Sequence, residues 1–230
     1  MWLKLLFNGE KPPNFTGLGT VRQGALEATR TMTGHVDPSL HVLVLAAGAA
    51  TRFGSPKQLA RIGGRPLLHR AVGIATEVGG QAVTVVLGAY AEQLAPLLKH
   101  SAGTVVINRR WEEGLASSLR EGVRALPSSC DGVLILLADQ VAVSAHDLAR
   151  LAAAWRAQPE WLIAASYDGH TGVPAVFPRW TFSGFNDLRG DSGARTMLER
   201  HAGRVMRVPM PNAAIDIDTP EDLLALSDPR

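Results

Sequence analysis

Val42-Leu43-Val44-Leu45-Ala46-Ala47-Gly48-Ala49-Ala50-Thr51-Arg52-Phe53-Gly54-Ser55-Pro56-Lys57 decides the fold. A short Val/Leu run, of the length of a buried strand, breaks into small residues, a glycine and then two cations. Small residues let an anionic ligand approach the backbone, so that several N–H groups point at one phosphate. Arg52 adds a planar fork suited to phosphate oxygens, and Lys57 adds a compact charge. The stretch reads as a polyphosphate cradle at the C-terminal edge of a first strand. Taken alone, the same spacing also fits an ordinary strand-to-helix turn.

Two better-known cradles do not fit. A Walker loop requires G-x-x-x-x-G-K-[ST], whereas five residues separate Gly48 from Gly54, and Ser55 follows. A dinucleotide fingerprint requires G-x-G-x-x-G after a strand, and Gly17-Leu18-Gly19 lacks both the third glycine and the strand.

From His41 onward, apolar runs alternate with helical periodicity. Strands are expected at Val42–Ala46, Ala82–Leu87, Thr104–Ile107, Gly132–Ala138, Trp161–Ala165, Ala175–Phe177 and Arg204–Val208. Helices are expected at Pro66–Val78, Ala91–Lys99, Leu115–Leu126, Ala145–Arg156, Ala194–Arg200 and Pro220–Ser227. Near-continuous Val/Leu/Ile strands between helices predict an α/β fold, a mostly parallel sheet covered on both faces. Ligands of such sheets bind beyond the carboxyl ends of the strands. Residues 1–40, with Pro12-Pro13 and no sustained periodicity, read as a loosely ordered extension, and 41–230 as the domain.

With 230 residues and 46% hydrophobic content, the chain can bury a sizeable core. No apolar run reaches the ~20 residues of a membrane span, and no signal peptide is evident. A formal charge of +2 without a Lys/Arg run argues against nucleic acid. The single cysteine, Cys130, excludes an internal disulfide framework and fits the cytoplasm. Trp111, Trp155, Trp161 and Trp180 are expected to pack rather than stack on a base. The histidines, His35, His41, His69, His100, His146 and His201 among them, lack zinc-ligand spacing.

Two more strand ends carry carboxylates. Leu134-Ile135-Leu136-Leu137-Ala138-Asp139-Gln140 delivers Asp139 to the edge that bears the cradle. There it suits Mg²⁺, which uses one or two carboxylates plus substrate phosphates; a turn or N-cap Asp is the alternative. In Ala214-Ile215-Asp216-Ile217-Asp218-Thr219-Pro220-Glu221-Asp222, alternation places Asp216 and Asp218 on one side. Thr219 reads as N-cap and Pro220 as the first helical residue. At least one of the two aspartates can join Asp139 at a metal.

Together these motifs resemble the MobA-like nucleotidyltransferases, and among them the molybdenum cofactor cytidylyltransferases. The resemblance rests on Leu45-Ala46-Ala47-Gly48, Arg52-Phe53-Gly54 and Lys57-Gln58-Leu59. It continues through Asn108, Trp111 to Leu119, Leu137 to Gln140, Gly172 to Phe177, Arg189 to Arg195, and Asp216 to Asp222. It implies a Rossmann-like three-layer α/β/α sandwich. Ala46, Ala47, Gly48, Arg52, Lys57 and Ser117 would bind the nucleotide, with Arg52, Lys57 and Asp139 in the catalytic roles. Asp139, with Asp216 or Asp218, would hold Mg²⁺ or Mn²⁺. Gly172, Pro174 and Arg195 would face the acceptor. The Ala-Ala-Gly form of the loop implies CTP, with molybdopterin as the phosphate acceptor and a molybdenum hydroxylase as a downstream partner.

Two departures stand out. Val141 follows Asp139-Gln140 where relatives carry proline, and Ala49-Ala50-Thr51 replaces a serine-containing run; neither removes a charge. Competing readings are transfer to a sugar phosphate or small phosphorylated acid, and a non-catalytic carrier of the finished cofactor. An oxidoreductase, as in a dye-reducing relative, finds no flavin or nicotinamide fingerprint here.

Overall fold

The computed structural model describes residues 37–101 and 103–227. Most of the expected N-terminal extension therefore lies outside the described residues, while Leu40 and His41 already belong to the first strand.

Strand β1 (Leu40–Ala46) is buried along its whole length. It pairs in parallel with β4 (Val83–Leu87) on one side and β6 (Gly132–Leu137) on the other. Both of its faces are covered, which is why its sequence is a continuous apolar run rather than an alternating one. Val42 and Val44 point to one face, toward α1 (Leu67–Gly79) and α4 (Ala145–Ala157). Leu43 and Leu45 point to the other, toward α3 (Leu115–Arg124) and α5 (Ala194–Arg200). The seven-stranded sheet runs β5-β4-β1-β6-β8-β7-β9, where β5 is Thr104–Ile107, β7 Leu162–Tyr167, β8 His170–Pro178 and β9 Val205–Pro209. Chain order departs from β1 in opposite directions toward β4 and β6, so the crevice between their carboxyl ends is a topological switch point.

The sheet is parallel except for β8, which runs antiparallel to both β6 and β7. The expected strand at Ala175–Phe177 is the inner part of this longer hairpin arm. A Gly63-Gly64 turn with positive φ closes a small hairpin of β2 (Arg61–Ile62) and β3 (Arg65–Pro66) that the periodicity did not signal. The helix expected at Ala91–Lys99 splits into α2 (Ala91–Leu94) and a 3-10 turn at Ala95–Leu98, because Pro96 cannot supply the N–H an α-helix needs there. The last helix, α6 (Pro220–Ser227), starts where the sequence placed it.

Trp155 is fully buried and packs against Gly132, where a Cβ would come within 2.3 Å of its ring. Trp161 and Trp180 are partly exposed, and Trp180 carries the Arg204 guanidinium over its ring at 4.9 Å. His41 is buried, 2.9 Å from the Thr84 hydroxyl. Cys130 is buried too, which pushes its thiol pKa up to about 11. At that value the thiolate is scarce at neutral pH, as befits a packing residue.

Candidate active site

Beyond the ends of β1 and β6 lies a cleft of about 530 Å³, whose walls include residues 45–52, Lys57, Asp139 and Asp218. The loop after β1 is held in shape by contacts along its length. Gln58, buried, donates from its side-chain amide to the carbonyls of Ala46 (3.1 Å) and Gly48 (2.9 Å). Tyr90 donates to Ala49 O at 3.0 Å. Ala50 takes a positive φ of 51°, and its carbonyl accepts from the Phe53 and Gly54 amides. Gly88, at the end of β4, must be a glycine, since a Cβ would sit 2.4 Å from Ala47 O. A β-carbon at Gly48 itself would meet nothing within 4 Å, so the loop faces open space there.

The charged groups interlock across the cleft mouth. Lys57 Nζ donates to Asp139 Oδ2 (2.7 Å), to the Ile217 carbonyl (3.0 Å) and to Asp218 Oδ1 (3.1 Å). Arg52 reaches Asp218 Oδ2 at 3.2 Å with its side chain largely exposed. Burial works against the Lys57 charge, but Asp139 and then Asp218 outweigh it and hold the ammonium above the ordinary lysine range. Asp216 is pushed the other way for a carboxyl, upward, first by the burial it has and then by the negative charges of Asp139 and Asp218. Ile217 between them is fully buried, as the alternation required. Asp222 fixes this run by accepting from the Asp218 and Thr219 amides, and the Thr219 hydroxyl accepts from the Asp222 amide. That capping box confirms Thr219 as the N-terminal cap.

The donor set suits a hard divalent ion. Asp139 Oδ1 is buried without a hydrogen-bond partner, and every available group is a carboxylate or carbonyl oxygen. Among the described residues, no three Asp, Glu, His or Cys side chains close into a metal cage. An ion here would therefore share its shell with ligand oxygens, which is how Mg²⁺ is commonly held beside phosphates.

The other end of the cleft, with Glu112 and Asp191 on its wall, is shaped by hydrogen bonds within the chain. Asn108, buried, donates to the hydroxyls of Ser117 (2.7 Å) and Ser118 (3.0 Å) and accepts from the Arg110 amide. Ser117 donates in turn to the carbonyls of Arg110 and Gly114. Its hydroxyl is consumed within this knot, and the residue that lines the cleft is Ser118. Gly114, the N-cap of α3, has φ 89°, and a Cβ there would lie 2.5 Å from the Gly190 backbone. The Ala116 amide donates to Gly190 O at 3.0 Å. This contact brings Asp191 to the cleft wall, so Asp191 is a wall residue; the cap of α5 is Gly193.

Gly172, Pro174 and Arg195 do not line this cleft; they lie beside it. Tyr167 covers Gly172 so closely that a Cβ would sit 2.4 Å from its hydroxyl, and it donates to Val173 O at 3.3 Å. Burial, and then the Asp216 charge, pushes that hydroxyl's pKa up, with Arg195 acting against them. Arg195 itself pairs with Glu199 on α5 at 3.0 Å. Gln140 joins the two regions, donating to Val173 O (2.8 Å) and Ala213 O (3.2 Å). Sequence reasoning gave no role to Gln58, Gln140 or Tyr167. The two glutamines entered only as members of the Lys57-Gln58-Leu59 and Leu137 to Gln140 motifs, and Tyr167 carried no signal.

Comparison with known proteins places the fold in a family. Over 200 residues the chain is 28% identical to the nicotine blue oxidoreductase of Paenarthrobacter nicotinovorans, spanning 82% of this chain and 97% of that one. It is 36% identical over 115 residues to the purine catabolism protein PucB of Bacillus subtilis (strain 168), spanning 48% of this chain and 55% of PucB. The crystal structure of Rv0371c from Mycobacterium tuberculosis H37Rv superposes with a TM-score of 0.72 at 26% identity, covering 83% of this chain and 98% of that one. No helix among the described residues is long and apolar enough to cross a membrane. Residues 42–205 match the MobA-like NTP transferase domain, and the chain belongs to that family of nucleotidyltransferases.

Proposed function

We propose that the protein transfers CMP from CTP to the terminal phosphate of a molybdopterin-type acceptor and releases pyrophosphate. The observation that carries this reading is one cleft at a sheet switch point, lined by an open small-residue loop and by the cations Arg52 and Lys57 set against the carboxylates of Asp139 and Asp218. The Ala46-Ala47-Gly48 form of the loop supports CTP over other nucleoside triphosphates, through its resemblance to cytidylyl enzymes.

A phosphate monoester is already largely dianionic at neutral pH, so it attacks the α-phosphorus without a general base. A P–O bond forms to the acceptor oxygen as the bond to the β-phosphate bridge breaks, and the electron pair leaves with pyrophosphate. The chain's task is to hold two anions together and to neutralise the charge that builds up. Arg52, Lys57 and the amides of Ala46 to Gly48 are the groups that would bind the triphosphate. Asp139 and Asp218, with Asp216 beside them, are the groups that would hold Mg²⁺ or Mn²⁺, which polarises phosphate oxygens when bound. Gly172, Pro174 and Arg195, grouped around Tyr167, form the side from which the acceptor enters. The reading places the protein in the cytoplasm, upstream of a molybdenum hydroxylase that receives the dinucleotide cofactor.

The similarity along 97% of the nicotine blue oxidoreductase favours one second reading, reduction of a quinoid dye. One set of assays separates the two. Protein is incubated with Mg²⁺, molybdopterin and each NTP in turn while pyrophosphate is followed, and separately with NADH or NADPH and a quinoid dye. Pyrophosphate with CTP alone is the expected result. Release only with a sugar phosphate as acceptor moves the chain to that enzyme class, and dye-dependent NAD(P)H oxidation without pyrophosphate overturns the transferase reading.

A further inference from the structure

The Lys57 ammonium sits among three oxygens from three residues, Asp139 Oδ2, Asp218 Oδ1 and the Ile217 carbonyl, at 2.7 to 3.1 Å. All three of its protons are thereby used on oxygens that a divalent ion would also need. Arg52 occupies the remaining Asp218 oxygen. In this state the Lys57 ammonium is committed to the carboxylates of the ion site, and Asp139 Oδ2 and both Asp218 oxygens are committed to cations. Asp139 Oδ1, buried and without a hydrogen-bond partner, lies beside the same seat.

We propose that Lys57 is a guard for the divalent-ion seat. Its ammonium holds the place of the ion until a triphosphate draws it away, so that ion and nucleotide are taken up as a coupled pair. The inference rests on the reading of Asp139 and Asp218 as the ion-holding carboxylates, and not on the identity of the nucleotide or acceptor. The physical basis is competition. An ion entering the seat must displace a unit positive charge already at hydrogen-bond distance from both carboxylates, and only an anion that rebinds Lys57 compensates for that displacement. By linkage, whatever triphosphate gains by drawing Lys57 off, the ion gains equally.

The test is a Mn²⁺ titration of the full chain without nucleotide, read by the loss of free-ion EPR signal. Wild type is expected to bind weakly. Lys57→Met, similar in length but uncharged, is expected to bind Mn²⁺ about tenfold tighter or better, whereas Arg52→Met should gain less than about threefold. Arg52→Met removes the same formal charge yet leaves the seat filled, so it separates occupancy from bulk electrostatics. The Lys57→Met gain should vanish when Asp139→Asn is added. Circular dichroism checks folding, and Lys57→Gln replaces Lys57→Met if the latter does not fold. Unchanged affinity in Lys57→Met, equal gains in the two single variants, or a gain that survives Asp139→Asn would each overturn the proposal. Failure of CTP or molybdopterin as substrates leaves this titration untouched, so the two readings fail separately.

Discussion

At one end of the cleft, Lys57, Arg52, Asp139 and Asp218 meet through charge, with contacts of 2.7 to 3.2 Å between ionised groups. At the other end, Gly114 and Gly190 meet backbone to backbone, with Asn108 knotting two serines behind them. The first end is built to exchange partners, since each of its cations and carboxylates has an alternative ligand in phosphate or metal. The second is built to stay closed, since a backbone contact of this kind has no alternative partner. A transferase needs both: a charge network that rearranges around a reacting polyphosphate, and a fixed wall against which the rest of the nucleotide is registered.

The sharpest way to break this contrast is Asp139→Asn. If the charged end exists for ligands, turnover in the pyrophosphate assay should fall about 10³-fold, the scale of losing a preorganised charge contact, while the thermal midpoint changes little. A variant that keeps turnover removes Asp139 from the chemistry. One that unfolds makes the charged end a structural pin.

Gly114→Ala should do the reverse. The new Cβ meets the Gly190 backbone at 2.5 Å, and the residue must keep a φ of 89° that L side chains rarely adopt. A loss of about 1–3 kcal/mol in urea unfolding is expected from backbone strain of this kind. It should come with a raised KM for the nucleotide, because the 189–191 segment is displaced from the cleft wall. Stability equal to wild type would show that the wall is as adaptable as the charged end.

Asn108→Ala sharpens the comparison within the closed end. It removes the donor shared by Ser117 and Ser118 and the acceptor of the Arg110 amide, all of them buried or half-buried. Stability should fall by about 1–2 kcal/mol, with a smaller effect on KM than Gly114→Ala if the knot serves the loop and not the ligand.

The two ends also differ in how far they can be read from the amino-acid sequence. The charged end is legible because chemistry forces uncommon residues to special places. A carboxylate directly after five apolar strand residues, or two aspartates alternating with isoleucine, stands out without any knowledge of contacts. The parallel core is legible for the same reason, since strands covered on both faces must be apolar throughout. The closed end is not legible, because its meaning lies in pairs far apart in the chain. Nothing local to Gly114 announces Gly190, and Ser117 differs from Ser118 only in that the Arg110 and Gly114 carbonyls take its hydroxyl. The reversal at β8 is hidden likewise, because a short buried strand carries no mark of its direction. Gln140 is a further case: its bonds to Val173 and Ala213 span segments whose proximity only the folded sheet creates.

The smallest expected effect tests whether the charged end carries an electrostatic cost in the ligand-free protein. The carboxyl of Asp216 is held above its ordinary range, first by its burial and then by Asp139 and Asp218. A carboxyl whose pKa is higher in the folded than in the unfolded chain is disfavoured in its ionised form by folding. Above the raised folded value it is ionised in both states and subtracts from stability; below the ordinary carboxylate value it is protonated in both, and the penalty is gone. Asp216→Asn should therefore raise the thermal midpoint slightly at pH 7. The gain should shrink as pH falls through the raised folded value and disappear below pH 3.8, the ordinary value for the group. The Gly114→Ala deficit, being steric, should not follow that course. If Asp216→Asn lowers the midpoint at pH 7, Asp216 is paired favourably in the ligand-free state, and its part in the charged end is structural support for the segment leading to Asp218.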